Sequence, residues 1–393
     1  MSNKRAPQNV VTLWPAFGLG LSVAVSVGLA RFSYALILPA MQVDLAWNYA
    51  QAGWLNTANA LGYVAGAVSG YFLLRRLSPA WLFSAGLYLT FLALPATALS
   101  AQIGWLTIAR LLSGIGAAWT FSCGVVLVHA RYRHSQNHGG TATGLFFAGA
   151  GLGIALSGVV VSPMLAHWGV GAWPQAWLLL GLAAALLSIW PLREARRPSE
   201  IANAPSDRGL SMRGLWTPLL GYFVFASGYI VYMTFIIAWM HNQGWSWLFG
   251  LSVWLILGGG VAVSPFVWRR ALNRWPPEFT LSASCLSTLI GAAIPIVDPG
   301  KAGLLCSAAI FGLGVFIAPS SVAVLVRRQM STELWARGMT LFTVVFALGQ
   351  VIGPVAAGWI ADVTTLNGAM LFGIVLLLVA TLLPLAGMAS NSA

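Results

Sequence analysis

"REARRPSEIANAPSDRGLSMRG", residues 193–214, is the one long polar stretch in an otherwise apolar chain. It is rich in proline, serine and charge, whereas 59% of the 393 residues are hydrophobic and 7% are charged. An ordinary soluble domain is about one quarter charged. The composition therefore predicts a polytopic membrane protein with a polar linker near its middle.

Apolar runs on both sides of this linker are long enough to cross a bilayer core of roughly 30 Å as helices. The sequence predicts twelve such spans, six before the linker and six after it. Their expected positions are 14–40, 51–74, 81–100, 102–129, 141–166, 173–192, 216–240, 247–268, 279–297, 302–326, 338–361 and 368–388.

The two sets of six spans repeat a glycine pattern. Gly149, Gly153 and Gly158 of span five align with Gly349, Gly353 and Gly358 of span eleven at an offset of 200 residues. The predicted fold is therefore an all-α integral membrane protein of two six-helix repeats, with a bundle at 1–192, a cytoplasmic linker at 193–215 and a second bundle at 216–393. Parallel repeats of this kind commonly hold a substrate site at their interface, near the membrane midplane.

The net charge of +12 is explained by membrane topology. Most of the 20 basic residues fall in alternate loops, which places the N-terminus and the C-terminus in the cytoplasm by the positive-inside rule. This distribution predicts a multi-pass protein of the bacterial inner membrane. The expected partners are the lipid bilayer and a small molecule, without nucleic acid.

Span four contains "LTIARLLSGIGAA" (106–118), which resembles the fourth-helix signature of the major facilitator superfamily. Matching positions are Leu106, Arg110, Gly114, Gly116, Ala117 and Ala118, with Ser113 where the family often has glutamine. "GLARFSYALILPAM" (28–41) and "QAGWLNTANALGYVAGA" (51–67) further resemble the YbfB/YjiJ-like branch. The resemblance implies a secondary transporter whose spans one, four, seven and ten line a central cavity.

Two positions depart from the superfamily pattern. Leu74 stands where the loop after span two normally has an acid, and Ile154 replaces the proline of the antiporter signature in span five. The copy of that signature in span eleven has Pro354 instead. Assignment as a proton-coupled exporter therefore cannot rest on these motifs.

Arg31 and Arg110 both fall within spans, each about 12 Å below the outer end at 1.5 Å per residue. An arginine at this depth costs roughly 2.5–3.5 kcal/mol, so it should face a cavity or a partner. Two nearby guanidinium groups would repel each other, and an anionic substrate between them would relieve that repulsion. The alternative is that backbone carbonyls or polar side chains such as Asn56, Asn59 or Tyr63 satisfy each arginine.

Other candidate residues accompany this pair. Tyr229 and Tyr232 lie three residues apart on one face of span seven and, with Tyr34 and Asn59, are predicted to line the substrate cavity. Glycines spaced four apart allow close helix packing, and they predict either plain packing or a moving seam. The predicted gating set is Gly114, Gly149, Gly153, Gly349, Gly353 and Pro354.

All eight acidic residues fall in loops or near span ends, which weakens a role in exporting cations. Proton coupling stays open. No catalytic, metal or phosphate-binding motif is present, so we expect neither an enzyme nor a cofactor. The prediction is a secondary transporter of a small organic anion, able to work as a monomer. Its alternatives are efflux of multiple hydrophobic drugs and a membrane sensor that does not transport.

Overall fold

A computed structural model of the chain describes residues 12–132, 139–197, 215–330 and 335–391, and within these ranges every regular element is a helix. Most of the predicted linker, 198–214, lies outside the described residues. Twelve spans follow in order: one, Trp14–Val23, Ala24–Phe32 and Tyr34–Asp44; two, Tyr49–Leu73; three, Pro79–Thr97; four, Ile103–Tyr132; five, Gly139–Trp168; six, Trp173–Ala195; seven, Trp216–Asn242; eight, Trp247–Val267; nine, Pro277–Val297; ten, Lys301–Val315 and Ile317–Gln329; eleven, Trp335–Val363; twelve, Leu366–Asn391.

Each predicted span overlaps one observed span, which confirms the predicted fold class. Eleven of the described helices are long and apolar enough to cross a membrane. The twelfth, span two, is 25 residues long, which also suffices, but it is more polar than the rest. Its buried polar residues include Asn56, Thr57 and Asn59.

Local chemistry sets several helix starts. Asn48 and Gln51 form a reciprocal capping box at the start of span two. Ser78 and Ser246 accept backbone hydrogen bonds at the starts of spans three and eight. These caps satisfy N–H groups that the first helical turn leaves without partners.

Spans one and seven form the centre of the molecule. Nearly every residue of both is buried, and the outer spans carry the exposed apolar surface. Leu182, Ile352 and Val375, for example, are each more than half exposed. Such a surface suits lipid contact and not water, so the polar residues of spans one and seven face protein on all sides.

The middle of span one is a π-helix, Ala24–Phe32, that ends at Ser33. The Ser33 N–H donates to the Gly28 carbonyl, five residues back, at 3.1 Å. Gly28 packs directly on the backbone of Gly153 in span five, where a Cβ atom would overlap. The wider π-helical turn therefore lies where spans one and five pack closely. Arg31 is part of this turn. Such π-helical segments are frequent at functional sites.

Candidate functional site

Arg31 is 6% exposed, and its guanidinium lies over the ring of Tyr63 in span two, 5.8 Å from the centroid. Its Nε and Nη2 atoms are buried and have no hydrogen-bond partner. Cation–π contact offsets part of the cost of burying the charge, but it does not replace the missing hydrogen bonds. This guanidinium is therefore equipped to bind an oxyanion.

Arg110 is fully buried and better satisfied than Arg31, with one unpaired nitrogen, Nη2, against two. Its Nη1 donates to the Ala30 carbonyl at 2.5 Å, and its Nε lies 3.5 Å from the Leu55 carbonyl. The guanidinium also lies over the rings of Tyr34 and Trp177, at 5.2 and 5.4 Å. Span four is thereby tied to spans one, two and six, which matches the alternative in which carbonyls satisfy the arginine.

The Arg110 guanidinium reaches the carbonyl of Ala30, the residue before Arg31 in span one. No carboxylate among the described residues forms an ion pair with either arginine. Two like charges in a region of low dielectric repel each other, so a bound anion would relieve this repulsion. A shared role of Arg31 and Arg110 in substrate binding stays a prediction.

Tyr229 of span seven interacts electrostatically with Arg31 from the other half of the molecule. The Tyr229 hydroxyl is hydrogen-bonded to the side-chain amide of Gln350 in span eleven. Its ring belongs to a cluster with Phe225 and Phe346, whose centroids are 5.2 and 5.7 Å away. Gln350 thus fixes a tyrosine near Arg31, a role that the sequence did not reveal.

Tyr34 and Tyr232 each form a hydrogen bond within their own half of the molecule. The Tyr34 hydroxyl donates to the Ala52 carbonyl at 2.6 Å, and the Tyr232 hydroxyl bonds Ser307 at 2.8 Å. Tyr232 also stacks on Phe311 at 4.1 Å. These two tyrosines are fixed by neighbours, so any contact with substrate stays a prediction.

The predicted gating glycines mostly pack against helices of their own half of the molecule. A Cβ atom at Gly149 or Gly153 would overlap the span-one backbone, and one at Gly349 or Gly353 would overlap span seven. Gly114 packs in the same way on span two, near Asn59. Their position fits plain helix packing; a hinge role stays a prediction.

Close contacts between the halves involve other glycines. Gly151 of span five and Gly258 of span eight meet backbone to backbone, and Gly53 of span two packs on the Pro354 carbonyl. Pro354 is the one member of the predicted gating set placed at this interface. The sequence offered no signal that distinguished Gly151 from its neighbours, because which face a glycine presents depends on helix rotation.

One end of the interface is closed by a carboxylate. Asp362, at the end of span eleven, accepts hydrogen bonds from the backbone N–H groups of Tyr49 and Ala50 at 2.7 and 2.9 Å. The Asn242 side chain donates to the Tyr49 hydroxyl at 2.7 Å. A carboxylate at a helix N-terminus is favoured by the helix dipole, so this contact holds spans two, seven and eleven together.

The described residues contain no group of three or more His, Cys, Asp or Glu side chains suited to a metal. The candidate site instead contains two guanidinium groups with unpaired nitrogens, aromatic rings and amides. Such an arrangement can bind and orient an organic anion.

Sequence comparisons point to membrane transport. A family model described as "Uncharacterised MFS-type transporter YbfB" matches residues 23–385. A curated relative from Escherichia coli (strain K12), the 3-(3-hydroxy-phenyl)propionate transporter, is 25% identical over 375 residues. The match covers 91% of this chain and 89% of the relative.

Solved structures agree on the fold. A mutant of the nucleoside transporter NupG gives a TM-score of 0.71 at 15% identity, over 95% of this chain and 99% of the other. A bacterial homologue of the human lysosomal transporter Spinster, inward-facing and occupied, gives 0.72 at 15% identity and covers 96% of each chain. At these identities the likeness establishes the helical arrangement and leaves the substrate open.

Proposed function

The chain belongs to the family of the MFS-type transporter YbfB, and from this membership we propose that it moves a small organic anion across the bacterial cytoplasmic membrane by alternating access. Membership confirms the resemblance carried by span four. Transport of a small organic solute is the activity common to the family and the curated relative. The anionic charge and the mechanism are our additions.

The observation that carries the anionic substrate is the unpaired guanidinium of Arg31. Buried donors are rarely left without partners in folded proteins, and a buried charge without one is more costly still. A carboxylate can accept two parallel hydrogen bonds from Nε and Nη2, and it would also offset the charge of Arg110. Bound substrate thus supplies the partner that the protein lacks.

Aromatic residues near Arg31 favour a substrate acid with an apolar or aromatic body. The Arg31 guanidinium lies over the Tyr63 ring, and Tyr229 interacts with Arg31 from span seven. Substrate rings pack favourably against such side chains. The name of the curated relative, a transporter of 3-(3-hydroxy-phenyl)propionate, supports an aromatic carboxylate.

Alternating access requires that the site be open to one side of the membrane at a time. Because the basic loops place both termini in the cytoplasm, we assign the end closed by Asp362 to the outer side. We further propose two rocking bundles, 1–192 and 216–393, joined by a cytoplasmic linker at 193–215 and acting as a monomer in the bilayer. Breaking the Asp362 contacts would open the outer side.

The experiment uses protein purified in detergent and then reconstituted into liposomes. We expect 3-phenylpropionate to bind and to show counterflow, and the uncharged 3-phenylpropionamide to do neither. Arg31→Gln should remove both activities. Arg75→Gln is the matched control, because Arg75 also lies over tyrosine and phenylalanine rings but is on the surface.

Three results would count against the proposal. Equal binding of the acid and the amide would exclude an anion site. Transport by Arg31→Gln at the wild-type rate would exclude Arg31 as its anchor. Binding without counterflow would favour a sensor that does not transport.

A further inference from the structure

Span two carries a buried amide whose orientation is fixed by its partner. The Asn59 side-chain nitrogen donates to the Arg110 carbonyl at 3.2 Å. A carbonyl oxygen can only accept a hydrogen bond, so the amide cannot be turned the other way. The Asn59 Oδ1 atom is therefore the one left over, and it is buried without a partner.

Asn56, one turn earlier, is fixed in the same manner. Its side-chain nitrogen donates to the Thr234 hydroxyl at 2.5 Å, and that hydroxyl donates its own proton to the Ile230 carbonyl at 2.6 Å. Since Thr234 has no second proton to give, it can only accept from Asn56. The Asn56 Oδ1 atom is again buried without a partner.

These two oxygens lie on the face of span two that also carries Tyr63. Asn56, Asn59 and Tyr63 are spaced three and four residues apart, which is one side of an α-helix. The Arg31 guanidinium lies over the Tyr63 ring. At 1.5 Å per residue, Asn59 and Asn56 are about 6 Å and about 10 Å along the helix from that ring.

The site thus has unpaired donors and unpaired acceptors. The donors are two nitrogens of Arg31 and the Nη2 atom of Arg110, and the acceptors are the oxygens of Asn59 and Asn56, which are 1% and 5% exposed. Buried acceptors without partners are rare in folded proteins. A ligand whose acceptor and donor are separated by about one ring and a short chain would satisfy both.

We propose that the substrate is a hydroxylated organic acid, whose hydroxyl donates to the amide oxygens of Asn56 and Asn59 while its carboxylate binds Arg31. This rests on the anion site proposed above. A neutral hydroxyl is favoured over an ammonium donor because Arg31 and Arg110 already place two positive charges in the same buried region.

The experiment measures dissociation constants on the purified full chain by calorimetry. The probes are 3-phenylpropionate, its ring-hydroxylated form 3-(3-hydroxyphenyl)propionate, its methoxy form 3-(3-methoxyphenyl)propionate, and two acids substituted beside the carboxylate, 3-phenyllactate and phenylalanine. We expect at least one hydroxyl acid to bind tenfold or more tightly than 3-phenylpropionate, with no gain for the methoxy acid or for phenylalanine.

Variants assign the preference to the amides. Asn59→Leu and Asn56→Leu keep the side-chain size and remove the acceptor, so one of them should reduce the hydroxyl preference to twofold or less. The measure is the ratio of the two dissociation constants within each variant, because a general loss of affinity would weaken both acids alike. Thr57→Val is the control, because Thr57 lies between them in sequence but bonds the Val351 carbonyl.

The outcomes separate this inference from the proposed function. If no acid binds, the anion site itself is wrong. If 3-phenylpropionate binds through Arg31 and neither hydroxyl acid binds more tightly, the anion site stands and the hydroxyl inference is wrong. A preference for phenylalanine would also overturn it, and so would a hydroxyl preference that survives both asparagine substitutions.

Discussion

Arg31 in span one and Tyr63 in span two form a cation–π contact, with the guanidinium 5.8 Å from the ring centroid. Two nitrogens of the same guanidinium are nevertheless buried without a hydrogen-bond partner. A ring face does not replace the directed bonds that a carboxylate accepts, so this contact leaves Arg31 able to bind an anion.

Arg31→Met should abolish binding of 3-phenylpropionate without lowering stability. The substitution removes a buried charge that has two unpaired nitrogens, and burying such a group is costly, so the apparent melting temperature should be unchanged or raised. Differential scanning fluorimetry in detergent measures stability, and calorimetry measures binding. A large fall in melting temperature would show that Arg31 is a structural residue.

Arg110→Met should lower the stability of the protein, unlike Arg31→Met. It breaks the hydrogen bond to the Ala30 carbonyl and the contacts with Tyr34 and Trp177, and it leaves that carbonyl buried without its partner. Bonds to charged groups contribute about 1.5–3 kcal/mol each, so we expect destabilisation of about 2 kcal/mol or more. Comparison with Arg31→Met in the same assay separates the two arginines. Equal melting temperatures in the two variants would contradict the conclusion that Arg110 stabilises the fold and Arg31 does not.

Asp362→Ala should open the closed end of the interface. Its carboxylate holds the Tyr49 and Ala50 N–H groups at the start of span two, and alanine cannot accept those bonds. A cysteine placed at Ala52, buried one turn further in, should then react faster with a membrane-impermeant maleimide added outside. The background should lack Cys123, Cys285 and Cys306.

The control for this opening is Asp298→Ala. Asp298, directly after span nine, also accepts a backbone hydrogen bond, but from nearby Gly300 at 2.9 Å. It should leave the labelling rate at Ala52 unchanged. An unchanged rate in Asp362→Ala as well would mean that the carboxylate does not hold the outer end.

Gly258→Val should impair packing between the halves, whereas Gly259→Val should not. A side chain at Gly258 would overlap the backbone of Gly151 and Ala155, while Gly259, the next residue, has open space beside it. We expect Gly258→Val to lower both the melting temperature and counterflow, and Gly259→Val to preserve both. If the two variants behave alike, Gly258 does not pack on Gly151 and Ala155 between spans five and eight as described.

The fold was largely predictable because a bilayer restricts the chain to helices of a known length. Spans from Trp14–Val23 to Leu366–Asn391 match the predicted runs, since hydropathy marks where a helix must lie. The π-helical turn at Ala24–Phe32 was not predictable, because it depends on how Gly28 packs against Gly153. Neighbouring backbone, and not local sequence, selected that turn.

The candidate site was predictable in part. An arginine within an apolar run is costly and therefore conspicuous, which identified Arg31 and Arg110. Gln350 and Asp362 were not predicted as site residues, because a single amide in a glycine-rich helix or an acid at a helix end does not indicate its partner. Their importance depends on partners hundreds of residues away in sequence, Tyr229 and Tyr49.

By itself the sequence determined a twelve-span membrane protein made of two repeats and the depth of its two arginines, because hydrophobic length and charge are properties of each segment alone. Only the tertiary structure decided that Arg110 is held by carbonyls and aromatic rings while Arg31 keeps unpaired nitrogens. The orientation of the Asn56 and Asn59 amides was decided in the same way. Whether a buried polar atom is satisfied depends on which helices pack around it, and helix rotation and packing are set by the whole bundle.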